Sequence, residues 1–129
     1  KAFALLEAAV ADEHPRVRME AVRALAEFQD LKAADIALRA VDKPLDQFSE
    51  YALWQTSREL APVWLEPAVL GKFDFGGKLP RLLFAVRAAE AATVVPVLVG
   101  KLKEGKVSAE DEGQLLETIA TYGARTHLR

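Results

Sequence analysis

The chain has 129 residues, of which 51% are hydrophobic and 28% charged, with a formal net charge of −2. This is the composition of an ordinary globular domain with a real core, and so small a charge gives no electrostatic reason to expect binding to nucleic acid or to an anionic membrane. Cysteine is absent, which excludes disulfides, thiolate metal sites and cysteine nucleophiles within this segment. No apolar run approaches the about 18 residues of a transmembrane helix, so we expect no membrane span.

Helices are predicted along nearly the whole chain, because Ala, Leu, Glu, Arg and Lys dominate and hydrophobic residues recur with a helical period. The first helix is predicted over residues 3–11, and it ends at the break DEHP, residues 12–15. Pro15 suits the first turn of a second helix, since the N–H that proline lacks has no helical partner there. That second helix is predicted to run to Phe28.

Two faces can be distinguished on this second helix. The predicted apolar face follows helical spacing through Val17, Ala21, Ala24, Leu25 and Phe28. The predicted solvent face alternates in charge through Arg16, Glu20, Arg23 and Glu27. We therefore expect one side of the helix to be buried and the other to stay in water.

Helices and breaks alternate in the same way through the rest of the chain. The breaks are Lys43-Pro44, a glycine loop at residues 73–78 and a loop at residues 103–108. Ser108 followed three residues later by Asp111 resembles a capping box at the start of the last helix. The remaining helices are predicted over residues 32–42, 46–60, 64–72, 79–90, 94–102 and 110–122.

These helices recur in pairs with a period of about 30 residues. The second helices of the pairs align on Ala21, Ala52, Ala85 and Thr118, at spacings of 31, 33 and 33 residues. A single pair cannot bury its apolar face alone, so each needs its neighbours. The sequence therefore predicts an all-α fold, an α-solenoid of four antiparallel helical hairpins with a right-handed superhelix. It forms one domain over 1–129, with repeats at about 1–30, 31–61, 62–90 and 91–123.

Residues at the first break carry a resemblance to a known family. Asp, then Pro, then Val-Arg and an Ala on the second helix resemble the pattern of HEAT repeats, and the second repeat keeps only part of it. The third and fourth repeats keep only the helical rhythm, with Gly76-Gly77 where the family pattern would place a proline. The resemblance implies a HEAT-like, non-catalytic scaffold. The matching residues are Asp12, Pro15, Val17, Arg18 and Ala21, then Asp42, Pro44 and Ala52.

A narrower resemblance involves two longer stretches. The segments HPRVRMEAVRALAEF and DQFSEYALWQTSRELAPVW are similar to the HEAT segment of large bacterial multidomain proteins of the planctomycete and verrucomicrobial type. In that family a dehydrogenase-like β-propeller precedes the HEAT segment and a cytochrome c domain follows it. The resemblance implies a periplasmic setting; without it, a cytoplasmic one is expected. Because the chain starts directly in a helical pattern and lacks an initial Met, we expect it to be a piece of a longer protein.

Candidate catalytic groups are few. His14 and His127 are the only histidines, and the pattern favours a turn or capping role for His14 over a metal ligand. The Asp-Phe-Gly triplet at residues 74–76 lacks every other kinase element, so a loop whose glycines permit positive φ is expected. The acids at residues 110–112 suit a helix start. We therefore expect no enzyme activity, no cofactor and no metal.

The second helices also carry a row of aromatic and arginine side chains. Two interpretations stay open for it: an interaction surface rich in the residue types that anchor interfaces, or large rings that fold over neighbouring repeats into the core. Trp64, flanked by apolar residues on a first helix, is expected to pack inside. The candidate surface residues are Arg23, Tyr51, Trp54, Arg58, Phe84 and Arg87.

The leading function is thus a protein-interaction or spacer module that binds a protein partner or a neighbouring domain of its own chain. Exposed ends of the array also predict weak self-association. The alternative is a HEAT-like unit associated with an enzyme, either chromophore-lyase-like or DNA-lesion-binding. A lesion binder needs a local basic patch, for which the candidates are Arg16, Arg18, Arg23, Arg58, Arg81 and Arg87.

Overall fold

The structure, a computed structural model, describes residues 2–105 and 107–127 of the chain. Within these ranges the chain is all-helical and contains no strand, which confirms the predicted all-α class. Short 3₁₀ turns at 39–42, 75–77 and 92–94 lie between the helices. The helices are α1 (Ala2–Val10), α2 (Pro15–Leu25), α3 (Leu31–Leu38), α4 (Gln47–Glu59), α5 (Ala61–Val69), α6 (Leu79–Ala89), α7 (Val95–Glu104) and α8 (Ala109–His127).

Several predicted helix bounds differ from the structure, and two of the differences have a direct cause. α2 ends at Leu25 and not at Phe28, because the next three backbone N–H groups bond three residues back, which tightens the chain out of the α-helix. α5 begins at Ala61 and not at 64, with only Leu60 between it and α4. Pro62 lies in the first turn of α5, where a proline is tolerated, so the helix can start directly after the preceding one.

Helix contacts follow chain order in two series. In one series α2 packs on α4, α4 on α6 and α6 on α8. In the other α1 packs on α3, α3 on α5 and α5 on α7. The two series join where α1 contacts α2, α3 contacts α4 and α7 contacts α8. The third predicted pair is less regular, because α6 also packs on α3 and on the 3₁₀ turn at 39–42.

Small residues lie where the helices of the first series meet. The four positions used to align the predicted repeats are all buried, and small side chains there allow the helix axes to approach. Larger side chains fill the space between the two series, and they include the fully buried Trp64. The four small buried residues are Ala21, Ala52, Ala85 and Thr118.

The predicted apolar face of α2 is wrong at Val17 and at Phe28, which lies beyond the helix end and is 36% exposed. Val17 is exposed, whereas Arg18, with 6% of its surface accessible, is buried. The Arg18 guanidinium donates to the carbonyl oxygens of Asp12, at 2.7 Å, and Glu13, at 3.0 Å, and it reaches the Pro44 carbonyl at 3.4 Å. Carbonyl oxygens accept from both terminal nitrogens of this buried cation and so offset the cost of its burial, whereas its buried Nε has no partner among the described residues. Arg18 therefore joins the break before α2 to the break before α4.

Ion pairs make further links between distant parts of the chain. Arg39 pairs with Glu7 of α1, and the hydrogen bonds from Arg39 lower the pKa of the Glu7 carboxyl. Arg81 of α6 donates to both carboxylate oxygens of Asp42, its Nε at 3.1 Å from Oδ1. The Lys101 ammonium lies 3.1 Å from an Asp74 carboxylate oxygen. All three pairs join residues that are far apart in sequence, so they fix the register of neighbouring helices.

The glycine loop before α6 forms as predicted. Gly76 and Gly77 have φ values of 74° and 77°, a region that glycine enters without steric cost. Phe75 is fully buried, and its ring lies 5.6 Å from that of Trp64 and 4.6 Å from that of Phe73. The loop is therefore part of the core. Asp74 completes it by accepting from the Gly77 N–H at 3.0 Å.

Helix starts are capped by side chains at several breaks. Asp46 accepts from the Ser49 N–H at 2.7 Å and so caps α4, and this hydrogen bond lowers the pKa of the Asp46 carboxyl. The predicted cap of α8 also forms, with the Ser108 hydroxyl 3.2 Å from the Asp111 nitrogen.

No helix in the described part of the chain combines the length and hydrophobicity that crossing a bilayer requires.

Replacing Arg18 by Met tests how much the link between the two breaks contributes. The substitution keeps an apolar stem but removes the donor from three part-buried hydrogen bonds, and hydrogen bonds to a charged group are each worth about 1.5–3 kcal/mol. We expect Arg18→Met to lower the free energy of unfolding in urea by about 2–4 kcal/mol. Arg16→Met, at an exposed position of the same helix, is the control and should change it by less than about 0.5 kcal/mol. Equal effects would contradict a specific role for Arg18.

Candidate interaction groove

A groove between α4 and α6 holds most of the predicted surface residues. Its volume is about 420 Å³, within the about 300–1,000 Å³ that is typical of ligand pockets. α4 supplies one wall because its residues 47, 50, 51 and 54 share a helix face. The lining residues are Gln47, Glu50, Tyr51, Trp54, Phe84, Arg87 and Ala88.

The aromatic side chains of α4 lie at the surface and not in the core. Tyr51 keeps 61% and Trp54 39% of its surface accessible. Their rings are nearly parallel, with an interplanar angle of 17° and centroids 6.2 Å apart. We call this pair the aromatic ledge. Phe84, half-buried, faces it from α6. An exposed tryptophan next to a concave surface is the residue type most often found as an interface anchor.

Arg58 fixes the ledge at the C-terminal end of α4. Its guanidinium carbon lies 4.9 Å from the centre of the Trp54 ring, a cation–π geometry. One nitrogen of the same group donates to the carbonyl oxygen of Ala88 on α6, at 2.8 Å. Arg58 thus ties the tryptophan to the opposite wall. On its other side lies a flatter apolar hollow along α5, of about 640 Å³.

Arg87 lines the groove but is held by α8. Its Nε donates to the Thr118 hydroxyl at 3.1 Å, and another nitrogen lies 3.6 Å from a carboxylate oxygen of Glu117. The carbonyl of Arg87 accepts from the Tyr122 hydroxyl at 3.3 Å. These contacts fix the arginine against α8, so its charge is already compensated at the edge of the groove.

Arg23 does not belong to this groove. It lines a smaller polar depression of about 120 Å³ between α2 and α4, together with Glu27 and Glu59. The predicted row of Arg23, Trp54 and Arg87 is therefore divided between two separate surfaces. The division arises because Arg23 of α2 projects toward the acidic end of α4, away from α6.

Sequence reasoning missed several residues of the site. Glu50 and Gln47 lie one helical turn before Trp54 and Tyr51, and this spacing of four is the signal that could have found them. Phe48, among the most exposed large apolar residues, was also missed. With Pro15, Arg16, Met19, Asp46 and Ser49 it lines a second groove of about 360 Å³, between α2 and α4.

The polar residues considered for chemistry have structural roles where the structure describes them. His14 occupies the N-cap position of α2, and its backbone N–H donates to the Asp12 carboxylate at 2.8 Å. Glu110, Asp111 and Glu112 lie in the first turn of α8, as predicted. The side chain of His127 lies outside the described residues. Among the side chains that are described, no three His, Asp or Glu residues converge as metal ligands would.

Comparisons with known proteins do not extend this description. No protein-family model, curated protein or solved structure matches the chain. The HEAT resemblance, which rests on residues of the first two repeats up to Ala52, and the multidomain resemblance therefore stay predictions. Function is inferred below from the groove and its surroundings.

The two tryptophans provide a matched test of surface against core. Trp64 is fully buried and donates to the Ser57 carbonyl at 2.9 Å, so Trp64→Ala should lower the free energy of unfolding by about 3–5 kcal/mol. Trp54→Ala removes a stacked pair at the surface and should cost only about 1 kcal/mol. Urea unfolding of both variants checks this. A loss at Trp54 as large as that at Trp64 would show that the aromatic ledge is structural.

Proposed function

We propose that the chain is a HEAT-like α-solenoid of four helical hairpins with a right-handed superhelix. The order of helix contacts supports this, since even-numbered helices pack on even-numbered ones in sequence and odd-numbered on odd-numbered. Stacking of this kind gives each pair the neighbours that it needs. The even-numbered series then forms one continuous surface, and the groove between α4 and α6 lies on it.

We further propose that the module is non-catalytic and binds a protein partner or a neighbouring domain of its own chain through this groove. The aromatic ledge carries the proposal. Tyr51 and Trp54 expose apolar ring area next to a concave surface, although the same helix turns its small residue Ala52 to the core. Such exposure loses the free energy of burial that each ring could gain, and binding of a partner recovers it.

The alternative of a DNA-lesion binder has little support in the arrangement of arginines. Arg18 is buried among carbonyls, and Arg81 and Arg87 pair with carboxylates. Arg16 lies near Glu20, and Arg23 lines a depression with two glutamates. A patch that neutralises several phosphates requires cations that are free to face them. We therefore favour a protein partner.

Affinity capture tests the proposed surface. Immobilised wild-type chain, Trp54→Ala and Gln55→Ala are exposed to an extract of the source cells, and bound proteins are quantified by mass spectrometry. Gln55 is exposed on the same helix but does not line the groove, so it is the matched control. We expect at least one protein that Trp54→Ala loses by more than about 30-fold, the effect of a strong interface anchor. Equal capture by all three baits would contradict the proposal.

Weak self-association through α1 is a separate proposal. The α1 sequence AFALLEAAV has one charged residue, Glu7, which pairs with Arg39. Its outward side carries Leu5, with 77% of its surface accessible, next to the exposed Ala4 and Ala8. A helix that is apolar on all sides is normally buried. This face is therefore suited to contact with a second copy.

Sedimentation velocity checks the self-association. The wild-type chain should shift toward dimer as its concentration rises, whereas Leu5→Glu should remain monomeric because a charge in the contact would lose its hydration. Leu70→Glu is the control, since Leu70 is also exposed but lies beyond the end of α5, away from α1. A wild-type chain that is monomeric at the highest concentration reached would exclude this contact.

A further inference from the structure

The charges around the groove indicate which kind of partner it fits. Arg58 donates to the Ala88 carbonyl and covers Trp54, and Arg87 is held by Thr118 and Glu117. Both cations along the groove therefore have protein partners already. Glu50 differs from them. Its side chain is exposed on α4 one turn before Trp54. Among the residues that the structure describes, none donates a hydrogen bond to its carboxylate or forms an ion pair with it.

Tyr51 adds a second feature that attracts positive charge. Its ring is mostly exposed, and it stacks on Trp54 on one side only. The face of an aromatic ring carries negative potential and attracts ammonium and guanidinium groups. Arg58 already uses this attraction on Trp54, whereas Tyr51 lines the groove together with Glu50, the residue before it on α4. A carboxylate and an open aromatic face are thus adjacent.

The groove also has apolar lining residues. Trp54 and Phe84 form its walls, and the buried Ala88 forms part of its base. An aliphatic or aromatic side chain gains free energy of burial there, whereas a charged one would lose its hydration. Along α4, the cation-attracting pair of Glu50 and Tyr51 therefore comes one turn before the apolar ring of Trp54.

We propose that this groove binds a peptide segment in which an arginine or lysine side chain follows or precedes an apolar residue. The inference rests on the proposed function and names the chemistry of its partner. The cationic group lies between the Glu50 carboxylate and the Tyr51 ring, and the apolar residue packs between Trp54 and Phe84. An acidic segment is disfavoured, because it would face Glu50 and because the nearby cations already have partners.

Selection from a display library of short random linear peptides tests the proposal. The wild-type chain is the target, and Trp54→Ala is the target for counter-selection. We expect Lys or Arg to be enriched next to an apolar residue in the peptides that Trp54→Ala does not retain. The best peptide is then measured by calorimetry against wild type, Glu50→Gln and Glu59→Gln. Glu59 is exposed on the same helix but outside the groove, so Glu59→Gln should bind like wild type.

A double-mutant cycle isolates the contact with Glu50. Replacing the basic residue of the peptide by norleucine should weaken binding to the wild-type chain by about twofold to tenfold, as expected for a cation–π contact with an exposed ion pair. The Glu50→Gln variant should bind the basic peptide about twofold to fivefold more weakly than wild type does. It should bind the norleucine peptide no more weakly than wild type does.

Several outcomes would overturn the inference. They are selected peptides without a basic residue, no enrichment over the library, or a cycle with no coupling between Glu50 and the peptide cation. If peptides are lost on Trp54→Ala but are not basic, the groove is still an interaction surface and only the partner chemistry is wrong. If peptides bind Trp54→Ala as well as wild type, both the inference and the proposed surface fail.

Discussion

Packing of α2 on α4, α4 on α6 and α6 on α8, with a small residue buried on each helix, is the constraint on which the rest of the structure depends. Ala52 is buried at such a contact, and Tyr51 and Trp54 on the same helix are exposed. On a helix with 3.6 residues per turn, the side that contacts a neighbour cannot also carry large rings if the axes are to stay close. The rings are therefore turned outward, and the hollow beside them becomes the groove. The site is thus a geometric consequence of how the helices meet.

Polar contacts between distant residues then fix where each helix pair lies relative to the next. Arg18 donates to carbonyls at two separate breaks, and Arg81 bridges to Asp42. These bonds are directional, whereas apolar burial is not, so they specify one register among several of similar burial. Together with the bonds of Arg39, Arg58 and Arg87, they engage most of the arginines whose side chains the structure describes. For this reason a chain with 17 basic residues offers few free cations along its groove.

The sequence was sufficient to predict the helices but not to predict which side of each helix is buried. Hydrophobic period and proline positions predict the all-α class and most helix bounds, because both are local properties. Arg18 could not be assigned in this way, since its burial depends on carbonyl oxygens at Pro44 and residues 12–13 that meet only in the folded chain. Trp54 and Trp64 illustrate the same limit. Both lie on helices among apolar neighbours, and only helix arrangement decides that one is at the surface and the other is buried. Helical spacing could have predicted that Glu50 lines the groove. It could not have predicted that no described residue pairs with the Glu50 carboxylate.

The contacts that hold the groove also prepare it for binding. Arg58 fixes Trp54 and bonds to the opposite wall, and Arg87 is fixed by α8, so the walls need little ordering when a partner arrives. Less side-chain entropy is then lost on association, which raises affinity for a given contact area. Arg87 also pairs with the Glu117 carboxylate, whereas Arg58 is held by a neutral carbonyl and by the Trp54 ring. Of the two charged residues that line the groove, Arg87 has a carboxylate partner and Glu50 has none in the described part of the chain, so charge complementarity follows from which groups the fold has already used. Its preference for a cationic partner is therefore determined by the internal hydrogen bonds of the protein as much as by the residues that face the solvent.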